Sequence, residues 1–192
     1  MVNRIWQHHF SRGIVRSSND FGKFGTQATH SKLLDWLAHE FVSNQWRIKS
    51  LHKTIMMSNT YQMSAQANEE ALVVDPLNNL FWRFDMRRLT AEEIRDSILS
   101  ASGNLNRKLG GPSVFPELPE EVLATSSQPT RVWGKSPPEE ANRRSVYVKV
   151  KRSLLVPILN QFDMANTDST CAVRFMTMVP TQSLTMLNGK FI

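Results

Sequence analysis

Residues 87–103 constrain the fold of this chain more than any other stretch. Thr90 followed three residues later by Glu93 has the pattern of a capping box, in which each side chain binds a free backbone amide at the start of a helix. Gly103 can adopt the left-handed conformation that ends a helix. Between them, three apolar residues recur at helical spacing: Ile94, Ile98 and Ala101. This stretch predicts a well-defined helix, and it carries no catalytic signature.

The size and composition are those of a globular domain. The chain has 192 residues, of which 41% are hydrophobic and 21% are charged, so it can bury a real core. No apolar run is long enough to cross a bilayer, and residues 1–10 lack the apolar region of a signal peptide. The single cysteine, Cys171, excludes an internal disulfide and any metal site built from several cysteines.

Charge is distributed unevenly along the chain. Residues 1–65 carry eight Lys and Arg against three Asp and Glu, residues 66–142 carry eight against twelve, and residues 143–192 carry seven against two. Two basic segments therefore flank an acidic one. Either the ends pack on the middle with complementary charge, or they offer a basic surface to an anionic partner.

The apolar periodicity predicts a mainly α-helical fold. The apolar stripe of residues 2–10 predicts a first helix that ends near Gly13, and residues 30–44 and 46–63 predict a helical hairpin. Residues 144–151 alternate strictly, as in a half-exposed strand, so we expect a small antiparallel β element near residues 144–150 and 171–178. Pro180 is expected to begin a last helix that ends at Asn188.

A proline-rich stretch interrupts these patterns and suggests the organisation of the chain. We expect a helical region over residues 1–109 and an extended loop over residues 110–142. A strand-plus-helix region over residues 143–192 is expected to pack on the first, within one domain. The last two residues are apolar, which suggests a truncation at the C-terminus.

Several charged clusters admit both a functional and a structural interpretation. Glu92 and Asp96 share a helix face and could act as paired carboxylates, but a capping box and favourable charges at a helix start explain the same acids. The histidines show no metal-binding spacing, which favours ordinary hydrogen-bonding histidines. The basic run over residues 143–152 contains one aromatic residue, so the solvated face of a strand is favoured over nucleic-acid binding.

Taken together, these motifs resemble one family over nearly the whole chain and in the same order. It is the planctomycete-type, cytochrome c-associated C-terminal domain of unknown function, the PSD family that follows PSCyt domains. The matching stretches are MVNRIWQHHF (1–10), NDFG (19–22), THSKLLDWLA (29–38), SNTYQ (58–62), RLTAEEIRD (88–96), RRSVY (143–147), FD (162–163) and VPTQSL (179–184). Ser31 and Lys32 depart from the family's Pro-Glu, which removes a second capping box from Thr29 and predicts a weaker helix start.

The resemblance implies a location and partners but no reaction. Members are typically exported, so it implies an extracytoplasmic or periplasmic protein, although this chain shows no signal peptide. The implied partners are neighbouring domains of a longer protein, of which this chain would be an internal fragment. Haem is expected only on a separate domain, and this chain is expected to hold no cofactor. The family has no established activity, so no catalytic residue is assigned.

Two functional hypotheses follow. The first is a binding or scaffold module of a large extracytoplasmic, cytochrome-associated protein. The second is a hydrolase, with polysaccharide as a substrate class, that uses acids of the helix start at residues 90–96 together with Arg88 and Arg144. Arginines in such a site would clamp an anionic ligand, whereas a structural network of arginines and carboxylates would explain the same residues. No metal ligand is predicted, and the candidate binding residues are Asp20, His30, Arg88, Glu93, Arg95, Asp96, Arg144 and Arg174.

Overall fold

Helices account for nearly all of the regular secondary structure, which confirms the predicted mainly α-helical class. The computed structural model describes the backbone of residues 1–192 and every side chain except those of residues 129 and 130. The chain divides into two compact units, Met1–Arg87 and Arg88–Ile192. The boundaries at residues 109 and 142 that the sequence suggested stay a prediction. In the described part of the chain, no helix has both the length and the apolar character needed to cross a membrane.

The first unit is built around a helical core. Its helices are α1 (Val2–Phe10), α2 (Ser31–Ser43), α3 (Ile48–Met56) and α4 (Glu69–Val74). Helix α2 packs against both α1 and α3, and its bounds agree with the prediction. Helix α3 ends seven residues before the predicted position 63. The Ser58 hydroxyl donates to the Ile55 carbonyl at 2.6 Å, and such a local side-chain hydrogen bond competes with the backbone hydrogen bonds of a helix.

Aromatic rings hold the core of the first unit together. Trp6 and Phe10, one helical turn apart on α1, stack with ring centroids 4.3 Å apart, and the Phe81 ring meets Trp6 edge-on at 5.5 Å. Such pairs add about 0.5–1.5 kcal/mol beyond the area that they bury. The core consists of Val2, Ile5, Trp6, Phe10, Ile14, Leu37, Phe41, Leu51, Ile55 and Phe81.

The end of α1 differs from the prediction for a physical reason. The helix ends at Phe10 and not near Gly13, and Ser11, the residue after it, has a φ of 64°. The buried Asn3 amide donates to the Val15 carbonyl and accepts from the Val15 N–H, both at 2.9 Å. These two bonds draw the chain back along α1 soon after its last turn. Asn3 therefore sets the helix end through a contact twelve residues away, which apolar periodicity does not reveal.

Helix α2 begins without a capping side chain. His30 is the N-cap residue, and its side chain makes no capping hydrogen bond to the helix. The Thr29 hydroxyl instead donates to the Ile14 carbonyl at 3.2 Å. The start of α2 is therefore tied to the segment after α1 and lacks the local cap that a Glu three residues after Thr29 would complete.

The second unit combines one longer helix with short helical turns. Its elements are α5 (Ala91–Ala101), α6 (Glu120–Leu123), α7 (Pro129–Val132), α8 (Pro138–Ala141), a 3₁₀ helix (Ser145–Tyr147), α9 (Pro157–Gln161) and α10 (Pro180–Asn188). Helix α5 packs on α9 and on the 3₁₀ helix, and α10 packs on α9. The predicted bounds of the last helix are confirmed. The core consists of Ala91, Val114, Leu118, Val148, Leu154, Val156, Ile158, Leu159 and Phe162.

The prediction of a small antiparallel β element is wrong, because neither residues 144–150 nor residues 171–178 form a strand. Residues 145–147 form the 3₁₀ helix, and Val148 makes only an isolated parallel bridge with Val114. The Asp96 carboxylate accepts a hydrogen bond from the Ser145 N–H, which a strand would need for its ladder, and Val146 is 71% exposed. Residues 171–178 are irregular in the structure, and the Asp163 carboxylate accepts hydrogen bonds from both the N–H and the hydroxyl of Thr177.

Candidate functional site

The start of α5 is fixed by the capping box that the sequence predicts. The Thr90 N–H donates to Glu93 Oε2 at 2.8 Å, and the Glu93 N–H donates to Thr90 Oγ1 at 3.4 Å, which confirms the prediction. Gly103 has a φ of 75° just after the helix, as a helix-ending glycine requires. The Glu93 carboxylate therefore already has a structural partner, and it stabilises the start of α5 whether or not it has another role.

Arg88 joins three segments of the second unit at one guanidinium group. It donates to Asp163 Oδ2 at 2.7 Å, to the Phe162 carbonyl at 3.1 Å and to the Thr177 carbonyl at 2.8 Å. Asp163 has a φ of 60°, in the left-handed region that Asp tolerates better than most residues. Burial alone would raise the pKa of Asp163, but hydrogen bonds from Thr177 and Arg88 outweigh it, and the pKa lies below its ordinary value.

Arg95 is a core residue and not a surface clamp. Its side chain is 1% exposed, and its guanidinium donates to the carbonyls of Arg143 and Ala141 at 3.0 and 2.8 Å. Burial lowers its pKa, while the nearby Asp96 carboxylate acts in the opposite direction. The fully buried Arg143 follows the same pattern, because its guanidinium donates to backbone carbonyls, among them that of Gly110, and lies 3.9 Å from the Tyr147 ring centroid. Both arginines bind the backbone of their own unit.

Asp96 holds the 3₁₀ helix against α5. Its Oδ1 accepts from the N–H and the hydroxyl of Ser145, both at 2.7 Å. The Arg144 Nε lies 3.8 Å from the other carboxylate oxygen, beyond hydrogen-bond distance. Asp96 thus fixes the direction of the segment that carries Arg144.

One cleft in the second unit brings four of the eight candidate residues together. It has a volume of about 680 Å³, and the candidates in its wall are Glu93, Asp96, Arg144 and Arg174. Arg174 closes one side, with its Nη1 2.6 Å from Glu92 Oε2. The remaining wall combines serines with aliphatic residues that lie on either side of α5 in the sequence and in residues 146–150, so the cleft presents both polar and apolar surface.

The other two candidates, Asp20 and His30, belong to the first unit. Asp20 Oδ1 accepts from the Gly22 N–H at 2.8 Å, and a Cβ on Gly25 would lie 2.2 Å from the Asp20 carbonyl oxygen, so this loop requires glycine there. The His30 ring nitrogen lies 3.1 Å from Thr29 Oγ1. The assignment of Asp20 and His30 as binding residues stays a prediction.

The first unit contains a histidine pair that the sequence did not predict. His9 Nε2 of α1 lies 2.7 Å from His52 Nδ1 of α3, and the Tyr61 ring meets His9 edge-on. Burial is the largest cause of the lowered His9 pKa, followed by the charges of His52, His8 and Arg87. The two residues are 43 positions apart, so no local spacing could reveal the pair. Across the described residues, no group of three or more His, Cys, Asp or Glu side chains is placed to hold a metal ion.

Comparison with known proteins gives one match. A family model with the description "PSD1: Protein of unknown function (DUF1553)" matches residues 1–192. No curated protein and no solved structure matches the chain.

Proposed function

We propose that this chain, which belongs to the PSD1 family of proteins of unknown function (DUF1553), acts as a binding and scaffold module of a larger protein. The observation that carries the proposal is the pairing of its polar motif residues with one another. Glu93 caps α5, Asp96 holds Ser145, and Asp163 holds Arg88. Each carboxylate has a partner that fixes backbone geometry, as expected where charged side chains set the relative positions of segments.

The surface of the chain supports a role in packing against other protein. Phe175 and Met178 are 87% and 88% exposed in the second unit, and Leu187 of α10 is 79% exposed. Large apolar side chains such as these gain favourable free energy when a partner covers them. Neighbouring domains of the full-length protein are the partners that we propose for these side chains.

The location and the haem association belong to the same proposal. The family resemblance in the sequence favours an extracytoplasmic protein whose haem sits on a separate, cytochrome c-like domain. The absorption spectrum of the purified chain, expressed in a host that attaches c-type haem, tests this point. We expect no Soret band from this chain, and a Soret band that persists through gel filtration would contradict the proposal.

A polysaccharide-directed hydrolase is the second candidate, because Glu92, Glu93 and Asp96 line one cleft. Glycoside hydrolysis requires two carboxyl groups in different environments at a set separation. Here Glu92 is paired with Arg174, Glu93 with Thr90, and Asp96 with Ser145. These pairings favour the scaffold proposal over the enzyme.

The two candidates are separated by Glu93→Gln. Glutamine also completes a capping box, so this change keeps the helix start and removes only the ionisable group. Reducing-sugar release from a panel of polysaccharides is measured for the parent chain and for the variant, with Glu69→Gln as a surface control. The scaffold proposal predicts no release above a buffer blank by either protein. Release that Glu93→Gln abolishes, at an unchanged thermal midpoint and with Glu69→Gln active, would establish the hydrolase instead.

A further inference from the structure

The link between α2 and α3 displays a tryptophan in an unusual backbone conformation. Gln45 and Trp46 both lie in the left-handed region, with φ of 55° and 60°, although neither is glycine. Residues other than glycine seldom adopt this conformation, and strain of this kind is concentrated at functional sites. The Trp46 N–H donates to the Phe41 carbonyl at 2.9 Å, and the two rings meet edge-on with centroids 5.2 Å apart. Trp46 is therefore held against a core residue, yet it is 62% exposed.

Apolar and cationic side chains alternate along the exposed chain from Trp46 onward. Arg47 follows Trp46, and Lys49 follows Ile48, which is 48% exposed. The Arg47 guanidinium donates to Gln45 Oε1 at 3.3 Å, and this neutral acceptor leaves the positive charge uncompensated. A partner that covers this stretch must therefore meet apolar and cationic side chains at the same place.

The outer face of α3 continues this pattern. Lys49, Lys53 and Met56 are four and three positions apart, so they share one helix face, and all three are exposed. Leu51 and Ile55 on the opposite face are buried in the core of the first unit, which fixes the outer face toward solvent. The exposed residues of the link and of this face form what we call the α2–α3 tip: Trp46, Arg47, Ile48, Lys49, Lys53 and Met56.

The charge of the α2–α3 tip is positive. Residues 41–68 contain three Lys and Arg, all in the tip, and no Asp or Glu. The acids that precede them are Glu40, which accepts a hydrogen bond from Asn44 Nδ2 at 2.6 Å, and Asp35, which lies about 12 Å before the end of α2. Across the described side chains, none of the three cations forms an ion pair. Charge complementarity therefore favours an anionic partner.

We propose that the α2–α3 tip binds the surface of an anionic lipid bilayer. Trp46 and Ile48 enter the interface between the head groups and the acyl chains, where tryptophan is enriched in membrane proteins. Arg47, Lys49 and Lys53 pair with lipid phosphates, while their alkyl stems contact apolar surface. Binding of this kind gains free energy both from the apolar area that is buried and from attraction to anionic lipids.

The mixture of side chains favours lipid over other anionic partners. The apolar residues of the tip lie beside the cations and not in a separate patch, and a bilayer presents anionic head groups and apolar chains at every point of its surface. Nucleic acid fits less well, because binding of a single strand relies on stacking of successive bases on aromatic rings, and Trp46 is the single aromatic residue of the tip.

Cosedimentation of the full chain with lipid vesicles tests the proposal. Vesicles of phosphatidylglycerol and phosphatidylcholine in equal parts are compared with vesicles of phosphatidylcholine alone. The tip variants are Trp46→Asn, since asparagine tolerates the left-handed backbone, and Lys49→Gln combined with Lys53→Gln, whose exposed side chains can change without disturbing the core. The matched controls are Trp36→Asn and Lys32→Gln, because both residues are exposed on α2 but lie outside the tip. The thermal midpoint of every variant is measured alongside.

We expect the chain to bind the anionic vesicles and to bind phosphatidylcholine alone at least tenfold more weakly. Loss of both lysines should weaken binding about 25-fold, because each cation near an anionic surface contributes about fivefold. Trp46→Asn should weaken it about tenfold, and each control variant should change it less than twofold.

The proposal is overturned if the chain does not cosediment with the anionic vesicles at about 1 mM lipid. It is also overturned if the two lysine changes leave binding unaltered, or if the control variants weaken it as much as the tip variants do. Tighter binding of a labelled oligothymidylate than of the vesicles would assign the tip to nucleic acid instead. The scaffold proposal does not depend on lipid binding and is tested separately by unfolding, so a failure here leaves it standing.

Discussion

Replacing Asp96 by alanine should destabilise the chain strongly, because Asp96 is the acceptor for two hydrogen bonds from a buried residue. Ser145 is 5% exposed and donates both its N–H and its hydroxyl to Asp96 Oδ1 at 2.7 Å. Removing the carboxylate leaves two buried donors unpaired, at about 1–3 kcal/mol each. The higher helix propensity of alanine offsets about 0.5 kcal/mol of this.

The net loss expected from Asp96→Ala is about 1.5–5.5 kcal/mol in the free energy of unfolding. For a cooperative unit of about 100 residues, at about 4–5 °C per kcal/mol, this corresponds to a fall of roughly 6–27 °C in the thermal midpoint. Urea unfolding followed by circular dichroism at 222 nm measures it, with the midpoint and the slope fitted together. Asp96→Asn keeps an acceptor oxygen and should lose less than half as much.

The matched control is Asp168→Ala. Asp168 is 73% exposed and lies 3.6 Å from an equally exposed Arg152, and exposed pairs of this kind contribute 0–1 kcal/mol. We expect its free energy of unfolding to stay within about 0.5 kcal/mol of that of the parent chain. If Asp96→Ala unfolds at the same urea concentration as the parent or at a higher one, the argument that Asp96 is a structural acceptor fails.

Three further predictions concern the cap and two pKa shifts. Thr90→Ala should cost about 1 kcal/mol in urea unfolding, whereas Thr90→Ser should cost far less, and equal losses would remove the cap as the cause. Because the pKa of His9 is lowered on folding, its contribution to stability is complete above pH 6.5 and is lost as the pH falls below 6.5. His9→Gln should therefore flatten the fall in the free energy of unfolding below pH 6.5, and an unchanged slope would refute the link. The pKa of Asp163 is also lowered, so its contribution to stability is present above pH 3.8 and is lost as the pH falls below 3.8. Asp163→Asn should therefore reduce the loss of stability below pH 3.8, which urea unfolding at a series of pH values measures.

The sequence predicts those features of the fold that local rules decide. The α5 cap needs only Thr90 and Glu93, three positions apart, and α10 needs only a proline at its start. The predicted strand at residues 144–151 is wrong. Alternation of apolar and polar residues indicates which side chains would share a face of a strand, but it does not show whether a second strand is available to pair with it. Asp96 lies 49 positions away in the sequence and accepts a hydrogen bond from the Ser145 N–H, and this long-range hydrogen bond decides the local conformation.

The candidate site shows the same division between local and distant contacts. Charged side chains near α5 were identified from the sequence, and four of the eight line one cleft. The role of Arg95 was not visible, because its partners are backbone carbonyls near residue 143 and the sequence does not show which guanidinium groups turn inward. The His9 and His52 pair is likewise formed only by the packing of two helices.

The free energy of coupling between Arg88 and Asp163 is the most direct measurement of the central claim that the polar motif residues tie the chain together. The cycle uses Arg88→Met, Asp163→Asn and the double variant, since asparagine tolerates the left-handed backbone of position 163. The account predicts that each single change lowers the free energy of unfolding and that the coupling is about 1–3 kcal/mol. Coupling near zero, with single variants as stable as the parent or more stable, would contradict it.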